Sequence, residues 1–376
     1  MMVAAILFTS SFLFIKPIFC FHHPFSASRL NSFGKERYFQ SNKSNSNIFA
    51  KNEMIDIDYL SESPESLCKA TDLRPRLSKN EAYATAIQES WNEEVKEMQK
   101  DASTTVTHSQ NLYTCEEKDG TITTLYGHIY VSGHQNEKST KKNPGVVFFH
   151  TGAGPHDIFL HWKAHYLATE MGYTVLIADM ISDDVGWAWS DDRSKYESAR
   201  KHILEVQNGK RTHLRRRITA SLLTLKNLPS VDSNNIGAIG WCFGGQVAME
   251  IVNMKNNVQG LKSLATFHGV FDGVESFQIS DEPEKDENGN VNCNLPSILI
   301  CNGDKDPFVP NDDKLMFKKL LQYHDWEWVD YKNCLHGFSN PAQGTNHNPN
   351  FDYNESAAKE SWTSVCNFLI ETIGSH

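Results

Sequence analysis

Short runs of apolar residues alternating with helix-like stretches constrain this chain more than any other feature. Residues 146–149 (Val-Val-Phe-Phe) form a continuous apolar run, and 173–178, 235–239, 261–267 and 297–301 are of the same kind. Such runs suit strands covered on both faces, which polar alternation would not. Between them lie stretches with helical spacing at 159–171, 210–228, from 243, at 311–322 and at 355–373, with a short strand at 326–329. Strands alternating with helices predict an α/β fold with a mostly parallel central sheet and helices on both faces. Ahead of this pattern, 111–115 and 121–131 read as a hairpin, with Gly120 at its turn.

At 376 residues and 39% hydrophobic, the chain has room for one large domain with extensions. Its net charge of -10 argues against nucleic acid as a partner, since phosphate binding requires a concentrated basic face. The densest basic cluster, Arg211, Arg215, Arg216 and Arg217, is expected to be a solvated or ion-paired helix face. Eight cysteines at wide, irregular spacing, with no CxxC pair, suggest neither a zinc ribbon nor a disulfide framework.

Residues 1–50 are expected to be a targeting leader. An apolar run too short to span a bilayer is followed by a Ser-, Asn- and Phe-rich segment nearly free of acids. Such a bipartite leader resembles those of algal plastid proteins, with the secretory pathway as the alternative. Residues 51–110 are expected to be an acidic linker and a docked amphipathic helix. In the helix, Tyr83, Ile87, Trp91, Val95 and Met98 share one face. Residues 111–376 then form the main domain, and no segment after the leader is apolar enough to span a membrane.

The chemistry concentrates at Gly240-Trp241-Cys242-Phe243-Gly244-Gly245, where an apolar strand meets a helix. A tight strand–helix turn there would hold Cys242 above the C-terminal edge of the sheet. Gly240 and Gly244 would let the backbones approach, and the helix N-terminus would favour a thiolate. Downstream, Asp304 and Asp306 lie in the loop after the 297–301 strand, and His336 follows the next strand. Cysteine, acid, histidine is the chain order of a nucleophile–acid–base triad on this architecture. Of the 16 histidines, His336 has both the position and a neighbouring Gly. A tetrahedral oxyanion would need backbone N–H donors, expected from Phe243 and from the loop 150–155. Gly152 is the chosen loop donor, with Thr151 and Ala153 as alternatives.

The Gly-Trp-Cys-Phe-Gly-Gly elbow, the Asp306-Pro307-Phe308-Val309-Pro310 loop and His336-Gly337-Phe338 resemble the dienelactone hydrolase family, over about residues 112–373. Most α/β-hydrolases carry serine at the elbow, whereas this family carries cysteine. The resemblance implies an α/β-hydrolase fold with Cys242 as nucleophile, Asp306 orienting the imidazole and His336 as base and then acid. It also implies action on a small-molecule carboxylic ester or lactone through a thioacyl-enzyme, with no cofactor or metal. The chain departs from the family in two places. Many relatives carry a glutamate where Thr151 stands, with no carboxylate here before Asp157, so direct activation by His336 is expected. No arginine follows His336 to hold a substrate carboxylate.

The alternatives are a thioesterase or acyltransferase with the same triad, or a catalytically silent binding module. His161 and His165, four apart on a helix, lack a third metal ligand at useful spacing and are expected to be ordinary helix residues. Trp187, Trp189, Asp191 and Asp192 are expected either to line the substrate site or to belong to a packed loop. Cys334 is expected to be a buried, inert thiol.

Overall fold

The computed structural model describes residues 87, 89–90, 104–134, 142–181, 187, 193–254, 260–277 and 295–375. The leader, the linker, most of the helix anticipated at 79–100, Trp189, Asp191, Asp192 and the acidic stretch 281–294 lie outside the described residues. Ile87 is helical, fully buried, and packs in the core beneath one face of the sheet.

The core is a single eight-stranded sheet in the order β1-β2-β4-β3-β5-β6-β7-β8. Its strands are β1 (Thr104–Glu116), β2 (Ile122–His134), β3 (Asn143–Phe149), β4 (Thr174–Ala178), β5 (Val231–Trp241), β6 (Leu261–Phe267), β7 (Ser297–Gly303) and β8 (Trp326–Tyr331). From β4 across to β8 every neighbouring pair is parallel, while β1–β2 and β2–β4 are antiparallel. The mostly parallel sheet expected from the apolar runs is therefore present. The hairpin is longer than the sequence suggested, because polar residues fill most of 104–110. That segment pairs nonetheless, from Thr104 opposite His134 to Gln110 opposite His128.

Helices cover both faces. They are α1 (Ile158–Glu170), α2 (Arg193–Ile203), α3 (Thr212–Lys226), α4 (Gly244–Met254), α5 (Asn311–Leu320) and α6 (Glu355–Ile373). Residues of α1 and α6 pack beneath one face with Val146, Phe148, Val175 and Trp241. Residues of α3 and α4 pack on the other with Val147, Phe149, Leu176 and Ala238. Successive residues of β3 thus enter opposite cores, the period-2 geometry of a strand, and all seven are buried. Helix α2 was not anticipated, since its Arg-Ser-Lys-Tyr-Glu-Ser-Ala-Arg-Lys-His-Ile sequence is mainly polar.

Two members of the basic cluster, Arg215 and Arg217, are ion-paired, and two, Arg211 and Arg217, are buried. Arg217 meets Glu117 at 3.2 Å, Arg215 pairs with Glu250, and Arg211 reaches Gln246 and the Asp272 carbonyl. These contacts fasten α3 to the β1–β2 turn and to α4. No described helix is long and apolar enough to cross a membrane.

Phe148 is fully buried at mid-strand against Trp241, with ring centroids 4.8 Å apart. Phe148→Ala should lower unfolding stability by about 3–5 kcal/mol through lost transfer energy and a residual cavity. Urea titration followed by circular dichroism measures the shift.

Candidate active site

The C-terminal edge of the parallel strands carries the loops that converge on Cys242. Strand β5 ends at Trp241 and α4 begins at Gly244, so the chain reverses within two residues. Cys242 occupies the left-handed region, with φ 53°. A non-glycine side chain is rare there, and such strain concentrates where surrounding structure over-determines it. The Cys242 N–H donates to the Phe267 carbonyl at 3.2 Å, and its own carbonyl accepts from Gly245 at 2.9 Å and Val270 at 3.0 Å. The glycines are there for space. A Cβ on Gly240 would strike the Gly244 carbonyl, and one on Gly244 would lie 2.6 Å from the Phe149 carbonyl.

The Cys242 side chain is partly exposed, whereas Cys115, Cys301, Cys334 and Cys366 are buried. Its sulfur is hydrogen-bonded by the His336 side chain and by the backbone N–H groups of Gly152 and Phe243. Desolvation alone would push this thiol up. The imidazolium charge of His336, its hydrogen bond and the two amides outweigh that, and the net shift is downward. His336 is shifted the other way. Desolvation opposes its charge, but the facing thiolate and Asp306 raise it to about 10. Each group thus favours the charged form of the other.

His336 Nδ1 lies 2.7 Å from Asp306 Oδ2, which leaves Nε2 for the sulfur. Of the two aspartates in the loop after β7, Asp306 is buried and makes this contact, while Asp304 is exposed. The other Asp306 oxygen accepts the Phe308 N–H at 2.9 Å, fixing the carboxylate plane. The imidazole sits between His268, Phe308 and Phe351, at centroid distances of 5.1, 4.9 and 5.2 Å.

The loop after β3 is held by contacts that sequence reasoning did not identify. The Met180 N–H donates to His150 Nε2 at 3.0 Å, so the His150 proton sits on Nδ1, 2.6 Å from the Thr151 carbonyl. The Thr151 hydroxyl accepts from Ala153 N–H at 3.0 Å and donates to Asp157 Oδ2 at 3.2 Å. Asp157 also caps α1, its Oδ1 accepting from Phe159. Trp187 is buried, and its indole N–H donates to the Gly152 carbonyl at 2.8 Å. Together these orient the Gly152 N–H toward the sulfur. Of the loop candidates, Ala153 instead directs its amide to Thr151 Oγ. Trp187 thus braces the Gly152 segment.

His268 was also missed. It lies at the end of β6, with φ 38°, and its Nε2 is 3.0 Å from Ser339 Oγ. Burial first, and then the neighbouring His336 charge, push it well below the usual histidine range, so it stays neutral beside the imidazolium. A histidine directly after an apolar strand was the available signal for both His150 and His268. Cys334 is buried and its thiol is pushed up to about 11, chiefly by desolvation, as expected of an inert thiol.

The sheet order and the loops gathered at one strand edge define an α/β-hydrolase. Residues 131–373 match the dienelactone hydrolase family. The match spans more than half of the chain, which thus belongs to that family. A dienelactone hydrolase-like promiscuous phosphotriesterase from metagenomic libraries is 26% identical, with a TM-score of 0.54, over 73% of this chain and 100% of that one. The structure named m3DLH is also 26% identical, with a TM-score of 0.55, over 71% of this chain and 99% of its own. An uncharacterized Caenorhabditis elegans protein is 26% identical over 167 residues, 44% of this chain and 96% of that one.

Iodoacetamide alkylation of Cys242 should follow a thiolate titration centred below the free-thiol value of about 8.5. Removing the imidazolium in His336→Gln should move that midpoint upward, and Cys334 should stay unlabelled at neutral pH. A midpoint that His336→Gln leaves in place would remove the histidine as the cause.

Proposed function

We propose that this protein hydrolyses a carboxylic ester or lactone through a Cys242–His336–Asp306 triad and a thioacyl-enzyme. The observation that carries the reading is the Cys242 sulfur, on a residue that is itself only partly buried, with His336 and two backbone N–H groups as its partners. Thiolate attack on the substrate carbonyl forms the C–S bond and moves charge onto the carbonyl oxygen. The N–H groups of Phe243 and Gly152 receive that oxyanion, a contribution typically of a hundredfold or more in rate for each donor.

Collapse breaks the C–O bond, and the imidazolium of His336 delivers its proton to the departing alkoxide. In a lactone that alkoxide stays tethered to the acyl group. The now neutral imidazole takes a proton from water, whose oxygen attacks the thioester. Collapse of the second intermediate expels the thiolate, restoring the thiolate–imidazolium pair, and releases the carboxylic acid, which ionises by giving the second water-derived proton to solvent. Asp306 holds the imidazole in the tautomer that presents Nε2 to the sulfur. Each proton and electron pair is accounted for by Cys242, His336 and water, so the reaction requires no cofactor.

Activation through His336 and the two amides replaces the carboxylate that many relatives place near the thiol. Thr151 stands at that position, and the nearby Asp157 is engaged with the Thr151 hydroxyl and the α1 N-terminus.

With p-nitrophenyl acetate, Cys242→Ala should abolish turnover and His336→Ala should lower kcat/KM by more than about a hundredfold. Rapid quench followed by mass spectrometry should show an acetyl group on Cys242. Turnover that survives Cys242→Ala would defeat the reading. A p-nitrophenyl phosphotriester belongs in the same assay, because one relative is a promiscuous phosphotriesterase.

A further inference from the structure

Away from the triad, four imidazoles are buried together where β1 and β2 pack against the start of α1. His108 lies on β1 opposite Tyr130, and His128 lies on β2 two residues before Tyr130, so all three share a sheet face. His161 comes from α1, and His156 from the loop that also carries Gly152. His108, His128, His156 and His161 are all buried, His128 and His161 fully. One ring nitrogen of each of His108, His128 and His161 lies within 4.8 Å of the others.

We propose that His108, His128 and His161 bind a divalent d-block cation, with zinc as the reference ion. Three observations support this. The first is the donor set itself: one nitrogen from each of three buried imidazoles, gathered within 4.8 Å of one another. Neutral imidazole is the ligand form, and three imidazole nitrogens suit zinc, copper or nickel rather than magnesium or calcium. Secondly, His161 Nε2 is buried and makes no hydrogen bond. An unmatched polar atom of this kind is costly unless something else occupies it.

The third observation is that the outer contacts already orient the rings as ligands require. His161 Nδ1 is 2.7 Å from the Tyr130 hydroxyl, which leaves Nε2 for the ion. His128 Nε2 is 3.2 Å from His156 Nδ1, which leaves its Nδ1. Metal-bound histidines characteristically hydrogen-bond through the nitrogen that does not ligate. His108 Nε2 and His128 Nδ1 are 3.1 Å apart. That separation fits an N–H···N bond, and it also approaches the edge of about 3.3 Å in a tetrahedron with Zn–N of about 2.0–2.1 Å. The Pro155 carbonyl also approaches His161. A bound ion would fasten the hairpin to α1 and to the loop bearing Gly152.

The test uses full-length protein without a histidine tag, stripped with chelator and titrated with zinc chloride against a chromogenic chelator. The background is His202→Ala with His213→Ala, which removes an exposed His202–Glu205–His213 cluster as a competing site. One equivalent should bind. Free zinc at a hundredfold excess over Kd should raise the melting midpoint by roughly 5 °C. His161→Gln or His128→Gln should abolish both effects. X-ray absorption of the zinc-loaded protein, which needs no substitution in the buried cluster, should show three imidazole ligands. Absence of stoichiometric binding, binding unchanged in His161→Gln, or a spectrum dominated by carboxylate oxygen would each overturn the proposal.

Discussion

The left-handed backbone at Cys242 is the constraint around which the candidate site is organised. Its strain persists because β5 and α4 are both fixed before and after it. Strand β5 pairs on both sides, with β3 and β6, and α4 is buried along its length. The close approaches of Gly240 to Gly244, and of Gly244 to the Phe149 carbonyl, leave no room for a relaxed turn. One side chain is thereby held above the strand edge, where loops from β3, β7 and β8 also end. Loosening the elbow would separate the sulfur from His336 and from both amides at once.

Charge at this site is managed without a carboxylate beside the sulfur. The downward shift of Cys242 and the upward shift of His336 share their mutual interaction, to which the two amides add on the thiol side and Asp306 on the imidazole side, all against desolvation. Asp306 stabilises the imidazolium, while His268 remains neutral and adds no competing charge. The loop after β3 is set by the His150 ring, the Thr151 hydroxyl and the Trp187 indole.

The β1–β2 hairpin continues the parallel sheet with antiparallel strands and creates a second polar interior away from the triad. Its histidines are buried because α1 covers that face, and α1 is capped by Asp157, the residue that also receives the Thr151 hydroxyl. The loop between β3 and α1 thus touches both places. Anything that stiffens the histidine cluster acts on the same segment that aims the Gly152 amide.

The sequence by itself determined the α/β class, the strand–helix alternation and the three side chains Cys242, Asp306 and His336. Each of these is written locally: apolar runs, a Gly-flanked cysteine, and an acid and a histidine in loops directly after strands. Strand ends, polar α2 and the polar half of β1 were less legible, because pairing and packing there override weak local preference. The residues alone left Asp304 and Asp306 side by side in one loop; the family resemblance favoured Asp306, and the tertiary structure buries it against His336 while Asp304 is exposed. Only the tertiary structure brought His108 and His128 to His161, across intervals that no local ligand spacing encodes. His150, Trp187 and His268 likewise acquire their positions from the folded loops. Local pattern encodes which groups are present and on which element, while the environment that sets their charge and aim is assembled from distant segments.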